Sequence, residues 1–538
     1  MKSKKILCLL LCSALITCSF AACSKDKEAN SDEITVVVTD ENGETVTDKN
    51  GKPVTEVVST TNPSSTSTTA KTSTTAKTTA KSNTTTTQKQ PLREQPPQNQ
   101  GSSGGNSGSS SNKYEYYDAS LDSGLIVLEK NARGKTGSKD VVFAIKDNQG
   151  ICYINNQGDY TITSTTDVWH GQIVIQVPNT QEVSVRFENV NIKGDSPSII
   201  KIFDTSITTD RTFFEEETVS GTAADNVLSQ TMKILSKQQS APNVSLSFPT
   251  GTTSSFETSA NSFSGVIYNE SKLTIKGNGK LNLKASRNKN NALCSTKSVT
   301  FKNVTANLET EAWQATSSMS SSRGIFSYGK VNIESGRLNI KSNGDGIRCD
   351  DLYVYGGEVN IHSGACDGVD ADDAIVITGG EVTSIALQKS SFKVRRLNNQ
   401  NDWNDGADID EDDCVTKSTH VFKIDGGTVW GEGKNVTKTC FLSTIHRDNL
   451  SSQVSFLIRS AKSESAEETR KYIQFNISGS GIDVTTNNKC GKFLYSSPEL
   501  SKNNTYTVSS PQGIGEKEIT PDGDKYIGNS ATLKIVSK

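Results

Sequence analysis

The sequence predicts an all-β protein whose folded part is a parallel β-helix, a long coil of short strands. Residues 345–351, Asp-Gly-Ile-Arg-Cys-Asp-Asp, recur in altered form 22 residues later at 367–373 and again at 405–411. Short alternating segments that contain Gly-Gly pairs lie between these copies. A period near 22 residues with glycines at the corners is typical of a parallel β-helix. Leucine-rich repeats have a similar period, but their leucine pattern is missing, and a propeller blade needs about twice the length.

The first 22 residues have the pattern of an export signal. Three lysines precede an apolar stretch over 6–16, which is too short to span a bilayer. The small residues before Cys23 and the polar residues after it resemble a bacterial lipoprotein signal, in which that cysteine is acylated; Cys18 is a weaker alternative. We therefore expect an extracytoplasmic protein exposed at the cell surface and held to the membrane by a lipid on Cys23.

The rest of the chain divides by composition and periodicity. Residues 23–58 form a short β segment, and 59–112 form a linker rich in Thr, Ser and Gly that cannot bury enough apolar surface to fold. The β-helix occupies 113–450, with an insertion at 204–261 that contains one short helix. Residues 451–538 are predicted to form a β-rich cap over the open edge of the coil.

Charge and cysteine content exclude several classes of protein. The net charge of -3 gives no reason to expect nucleic acid binding. Four of the 11 cysteines fall in the signal region, and the remaining ones form no CxxC pair. This argues against a disulfide framework and against a zinc site, so we expect buried thiols. We also expect a monomer.

Strand alternation sorts the repeated Asp-Gly segments into two faces. The apolar members point inward: Ile347, Cys349, Val369, Ala371, Ala407 and Ile409. The charged members point outward: Arg348, Asp350, Asp370, Asp372, Asp408 and Asp410. Residues 387–404 are predicted to form a loop just before the third copy.

The outward face is acidic on three successive coils. Carboxylates one strand spacing apart, about 4.8 Å, repel each other by ~3.5 kcal/mol at an effective dielectric constant near 20. Clustered hard oxygen ligands suit calcium, whereas zinc and copper prefer the His and Cys that these strands lack. The sequence therefore predicts bound calcium; a solvated acidic face is the alternative.

The repeated units, the Gly171-Gln-Ile-Val-Ile segment and the closing Phe493-Leu-Tyr-Ser-Ser segment together resemble a bacterial carbohydrate-binding domain-containing family. Its members are clostridial surface proteins with a right-handed parallel β-helix similar to family 9 polysaccharide lyases. The resemblance implies binding of plant cell-wall polysaccharide, cellulose or acidic pectin, without catalysis. It also implies a calcium-binding stack of aspartates at Asp345, Asp350, Asp367, Asp370, Asp372, Asp405, Asp408 and Asp410. Arg348 departs from this pattern, because the later copies carry aspartate there.

Other functions stay open at this point. Trp403 and Arg348 are the candidate substrate-binding residues, and Trp430 and Trp313 are weaker aromatic candidates. A calcium-dependent lyase would need a base, for which Arg348, Lys389, Lys393, Arg395 and Arg396 are available. A glycosidase would need two carboxylates, for example Asp372 with Asp370 or Asp373. A structural adhesin with purely structural calcium is the third possibility.

Overall fold

The computed structural model describes residues 33–37, 55–59, 114–208, 230–260, 264–286, 290–310, 322–395, 421–434, 453–460, 472–501, 504–510, 514–519 and 528–533. The chain forms two compact units, residues 1–103 and 104–538. In the first unit, strands β1 (Glu33–Val37) and β2 (Thr55–Ser59) pair antiparallel. Cys23 and the linker lie outside the described residues, so the predicted signal and anchor stay predictions.

The second unit is built from short strands. In its first half these are β3 (Leu125–Glu129), β4 (Arg133–Thr136), β5 (Val141–Lys146), β6 (Gln149–Ile154), β7 (Gly158–Ser164), β8 (Trp169–Val177), β9 (Glu182–Phe187), β10 (Asn191–Gly194), β11 (Ile200–Asp204), β12 (Asn243–Ser247), β13 (Thr253–Thr258), β14 (Gly265–Asn269), β15 (Lys272–Lys276), β16 (Lys280–Ala285), β17 (Asn291–Ser295) and β18 (Val299–Lys302).

In its second half the strands are β19 (Val304–Thr310), β20 (Ile325–Ser327), β21 (Val331–Ile333), β22 (Gly336–Ser342), β23 (Ile347–Val354), β24 (Glu358–Ser363), β25 (Val369–Ile377), β26 (Glu381–Ala386), β27 (Phe392–Val394), β28 (Val421–Ile424), β29 (Thr428–Gly433), β30 (Ser455–Ser460), β31 (Asn476–Gly479), β32 (Ile482–Thr485), β33 (Lys492–Ser496), β34 (Tyr506–Ser510), β35 (Ile514–Ile519) and β36 (Gly528–Leu533).

The strands stack in three columns of parallel pairs, and the chain visits the columns in turn. The first column runs through β6, β8, β11, β14, β17, β20, β23, β25 and β27. The second runs through β3, β7, β9, β12, β15, β18 and β21, then the ends of β23 and β25, and β28. The third runs from β10 through β13, β16, β19, β22, β24 and β26 to β29. The all-β prediction is confirmed, and the large sheet is mostly parallel.

One continuous hydrophobic core lies along the columns. In most strands alternate residues are buried, as the period-2 patterns predict; Val183, Val185 and Phe187 of β9 are each at most 1% exposed. Glycines hold the corners after the second column. Gly357, Gly380 and Gly427 have φ of +85°, +84° and +80°, and a Cβ on Gly380 would lie 2.5 Å from the Gly357 carbonyl oxygen. Only glycine combines this backbone with so close a stack.

The predicted insertion at 204–261 is wrong in its extent. Its last third contains β12 and β13, which take regular places in the second and third columns. The prediction failed because these strands are rich in Ser and Thr, which weakens their apolar alternation. The predicted helix is present over 230–236, and Met232 and Leu235 on one side of it are buried. Met232 packs with Tyr268, Cys294 and Phe326, the outward residues of the first column.

The described C-terminal residues are β-rich, as expected for a cap. Strand β33 pairs antiparallel with β29, the last strand of the third column, so the parallel stacking of that column ends at β29. A separate antiparallel sheet of β31, β32, β34 and β35 follows, with its own hydrophobic cluster around Phe475 and Tyr506. Across the described residues the free thiols of Cys152, Cys294, Cys349, Cys366 and Cys490 are buried, as predicted. No helix in that part of the chain is long and apolar enough to cross a membrane.

Candidate functional site

The first two Asp-Gly segments lie side by side in the first column. Ile347 of β23 is opposite Ile325 of β20 on one side and Val369 of β25 on the other. The inward residues predicted for the first two copies, Ile347, Cys349, Val369 and Ala371, are all fully buried in the core. The alternation of these strands is therefore confirmed. The alternating residues Arg348 and Asp370, which face away from the core, occupy equivalent positions in adjacent strands.

The third position of this ladder differs from the prediction. Phe392, Lys393 and Val394 of β27 lie opposite Val369, Asp370 and Ala371. The neighbour of Asp370 is therefore Lys393, whereas the sequence interpretation placed Asp408 there. The expected loop at 387–404 was wrong in this part, because Phe-Lys-Val continues the inward and outward alternation without an Asp-Gly signal. Asp405, Asp408, Asp410 and Trp403 lie outside the described residues.

Three aspartates of the predicted metal set come together. One carboxylate oxygen each from Asp345, Asp367 and Asp370 lies within 4.8 Å of the other two. Backbone geometry fixes the first two, since Asp367 N–H donates to Asp345 Oδ1 at 3.2 Å and Ser390 N–H donates to Asp367 Oδ1 at 2.7 Å. All three residues are buried, and Asp370 is only 1% exposed. They lie at the beginning of β23 and β25 in the first column, where the chain arrives from the third column.

Two of these aspartates each have one basic partner from a neighbouring coil. Arg323 Nε lies 2.9 Å from Asp345 Oδ2, and Lys393 Nζ lies 3.5 Å from Asp367 Oδ2. Arg323 aligns with Asp345, because Ile325 lies opposite Ile347. Lys393 lies opposite Asp370, three residues beyond Asp367 in the chain. Coil-to-coil contacts therefore join opposite charges, the arrangement that stabilises stacked strands.

Asp370 has two guanidinium partners. Arg395 Nε donates to both of its carboxylate oxygens, at 2.8 and 2.9 Å, and Arg348 Nε lies 3.6 Å from Oδ2. Arg348 Nη2 also donates to Asp372 Oδ1 at 2.6 Å. Four basic side chains thus accompany the acidic residues, and most of the cluster's negative charge is balanced by the protein itself.

Burial and neighbouring charges shift the pKa values of the aspartates in opposite directions. Burial raises the pKa of Asp367 to about 6, and burial together with the nearby Asp372 raises that of Asp350 to about 6. Burial also opposes ionisation of Asp370, but Arg395 and Arg348 hold the pKa of Asp370 below its usual range. The two arginines thus favour the charged form of Asp370, whereas burial favours the protonated forms of Asp350 and Asp367.

The donor atoms fit calcium in type and in spacing. Oxygens up to 4.8 Å apart can share one ion at the usual distance of about 2.3–2.6 Å. Asp345, Asp367 and Asp370 are the residues that could hold it. The surrounding arginines and lysine repel a bound cation. Because their positive charges already balance most of the carboxylates, the cluster does not need an ion for charge balance.

The predicted substrate-binding residues have different surroundings. Arg348 is described, but its side chain is 13% exposed and engaged with Asp370 and Asp372. Trp430 packs against Phe493 and Tyr495 and donates its indole N–H to Glu432 Oε1 at 2.8 Å. Glu432 in turn accepts the backbone N–H groups of Asn487 and Asn488, so Trp430 lies where the C-terminal region packs onto the third column.

The sequence interpretation missed the basic half of the cluster. Arg323, Lys393 and Arg395 were not assigned to the acidic stack, although Lys393 and Arg395 were considered as bases. Arg323 lies 22 residues before Asp345, the same spacing that separates Asp345 from Asp367. The segment Arg323-Gly-Ile-Phe is a weaker upstream copy of the repeat, and its register places Arg323 beside Asp345.

Comparisons with known proteins give two findings, and no curated protein matches the chain. The solved structure of the polysaccharide lyase-like protein from C. thermocellum, a gadolinium derivative, aligns with a TM-score of 0.31 and 16% identity over 61% of this chain and 98% of that one. A family model described as carbohydrate-binding domain-containing protein matches residues 148–430, just over half of the chain. The match includes the three columns from β6 through β28, the first residues of β29 and all the described acidic residues of the cluster. The chain therefore belongs to the carbohydrate-binding domain-containing protein family.

Proposed function

We propose that this protein is a cell-surface lipoprotein that binds plant cell-wall polysaccharide, such as cellulose or acidic pectin, without cleaving it. The family membership of residues 148–430 carries the proposal of polysaccharide binding. The three parallel columns support a fold that winds as a right-handed parallel β-helix. Such a coil gives long, rigid, flat faces, which suit an extended chain of repeating sugars.

The environment of the base candidates supports a non-catalytic role. A lyase base must give up its own proton before it can take one from the substrate. Burial would lower the pKa of the Arg348 and Arg395 guanidinium groups, but the adjacent carboxylates of Asp370 and Asp372 raise both above the usual range. Lys393 is paired with Asp367. These three candidates are thus poorly suited to act as bases.

We further propose that calcium binds weakly to Asp345, Asp367 and Asp370, and that an acidic sugar can share it. Hard carboxylate oxygens favour the ion, while the competing basic groups lower its affinity towards the ~10⁻⁴–10⁻³ M range of extracellular calcium modules. The anchor on Cys23 follows from the lipoprotein-like signal alone. Its test is metabolic labelling with a fatty acid, which Cys23→Ser should abolish together with membrane association.

The experiment for the main proposal is calorimetric titration of the full chain with cello-oligosaccharides and with polygalacturonate, in calcium and in chelator. Absorbance in the ultraviolet is followed in parallel for unsaturated products. Binding without products supports the proposed function. Unsaturated products would instead establish a lyase, and failure to bind either glycan would leave the structural adhesin.

A further inference from the structure

Two tyrosines stand on the outward face of the second column. Tyr353 and Tyr355 flank Val354 in the chain, and Leu352 and Val354 are fully buried in the core. The tyrosines therefore face the opposite way. Their rings are nearly parallel, with an interplanar angle of 9° and centroids 6.1 Å apart. Tyr355, which directly follows β23, is 52% exposed, a large fraction for an aromatic ring.

The surroundings leave Tyr355 largely uncovered and Tyr353 half-buried. In the register of the second column, Tyr353 has Asn332 on one side and Val376 on the other, both shorter than tyrosine. Neither Tyr353 nor Tyr355 is part of the hydrophobic clusters that the described residues form. The rings thus form a small raised aromatic surface, which we call the tyrosine platform, and the core does not depend on it.

The charges around the platform cancel. Lys330 Nζ lies 3.2 Å from Asp351 Oδ2 and 5.1 Å from the centre of the Tyr353 ring. On the two preceding coils Lys302 pairs with Glu334 at 3.0 Å, and on β28, two strands further along the column, Lys423 pairs with Asp425 at 2.9 Å. Each lysine near the platform therefore has a carboxylate beside it. An acidic glycan would find no excess of positive charge here.

We propose that Tyr353 and Tyr355 form a stacking surface for the sugar rings of a neutral, unbranched polysaccharide. The apolar C–H face of a sugar ring packs against an aromatic ring, and paired charges at the rim can exchange hydrogen bonds with its hydroxyl groups. This inference rests on the proposed polysaccharide binding and narrows its substrate. It assigns cellulose-like chains to the platform, separately from the acidic cluster of the first column.

The test compares binding of the full chain to insoluble cellulose and to soluble polygalacturonate, at low and at high salt. We expect cellulose binding to change little with salt, because neutral stacking is not screened. Tyr355→Ala should weaken cellulose binding about tenfold, whereas Tyr355→Phe should retain it because the ring remains. Tyr117→Ala is the matched control, since Tyr117 is 40% exposed and also has a lysine over its ring. Its binding should equal that of the unchanged protein.

A second measurement does not depend on a folded alanine variant. Nitration of exposed tyrosines, mapped by mass spectrometry, should be slowed at Tyr355 by bound cellulose chains and unchanged at Tyr117. If the unchanged protein binds cellulose but Tyr355→Ala binds equally well and nitration is unaffected, the platform is overturned while polysaccharide binding stands. If only polygalacturonate binds, the assignment to a neutral glycan is overturned. If neither glycan binds, the proposed function itself fails.

Discussion

Lys393 lies directly opposite Asp370 in the parallel pairing of β27 with β25. Two residues further along the same face, Arg395 binds both carboxylate oxygens of Asp370. Strand β27 and the residue that follows it thus supply two cations to the acidic residues of the neighbouring coil. Repulsion between stacked carboxylates, which the sequence suggested would need metal ions, is relieved largely by these side chains.

The first prediction concerns Arg395. Arg395→Ala should destabilise the protein by about 2 kcal/mol, because it leaves the buried Asp370 carboxylate with weaker partners. This loss of stability is smaller than it would be if Arg395 were the sole partner of Asp370, because Arg348 remains nearby. Urea unfolding in the presence of chelator measures the effect.

Arg337 provides the control for this prediction. It pairs with Glu358 on the third column, where the side chains are 54% and 33% exposed. Arg337→Ala should change the free energy of unfolding by less than about 0.5 kcal/mol, because water screens the pair. Equal effects of the two substitutions would contradict the role assigned to Arg395.

The second prediction concerns pH and Asp350. Its pKa of about 6 in the folded protein exceeds the value near 3.9 expected on unfolding. As pH rises, the unfolded chain therefore loses this proton at a lower pH than the folded protein does. The contribution of Asp350 to the free energy of unfolding falls as pH rises from about 4 to about 6. Asp350→Asn removes the cost of ionising this buried carboxyl and should stabilise the protein at pH 7 by about 1 kcal/mol. This value is reduced because the side chain is partly exposed and water screens its charge. At pH 4 it should have little effect.

Urea unfolding at both pH values, with chelator present, checks this prediction. Asp118→Asn is a useful comparison, because hydrogen bonds from Ser120 lower the pKa of Asp118. Its substitution should act in the opposite direction. A gain from Asp350→Asn that is equal at pH 4 and pH 7 would mean that ionisation is not its cause.

The sequence was sufficient to predict much of this architecture. The repeat of Asp-Gly segments at 22 residues correctly placed Ile347 opposite Val369, because strands stacked in register repeat their inward and outward sides. It could not predict Lys393 opposite Asp370, since the next coil lacks the Asp-Gly signal and pairing depends on backbone geometry. Nor could it predict that Asp370 is buried, because alternation gives the direction of a side chain but not what covers it. Arg395 lies 72 residues after Arg323 and reaches the same cluster only through the stacking of coils.

The third prediction concerns the glycine corners. Gly380→Ala should destabilise the protein by several kcal/mol, because it adds a clash with the Gly357 carbonyl to the cost of a positive φ. Gly251 has a similar φ of +79°, but a Cβ there would meet nothing within 4 Å. Gly251→Ala should therefore cost only about 1 kcal/mol. Thermal unfolding of the two variants isolates the contribution of close stacking, and similar losses would refute it.

The last prediction concerns Lys297 and the helix at 230–236. The Lys297 ammonium donates to the carbonyl oxygens of Leu235 at 2.8 Å and Ser236 at 3.1 Å, and also to that of Gln238. These carbonyls lie at and just beyond the end of the helix, where backbone partners are fewer, although that of Leu235 also accepts the Gln238 N–H at 3.2 Å. Burial lowers the pKa of Lys297, yet the contacts with these oxygens hold the side chain in place.

Lys297→Met should release the helix locally by about 2 kcal/mol, since it removes charged hydrogen bonds but keeps most of the apolar stem. Hydrogen exchange of peptides covering 230–240 should speed up, while exchange in β24 and β26 stays unchanged. Lys302→Met is the control, because Lys302 is 54% exposed and pairs only at the surface with Glu334. If Lys297→Met left exchange over 230–240 unchanged, the apolar contacts of Met232 with Tyr268 and Cys294 would have to hold the helix by themselves.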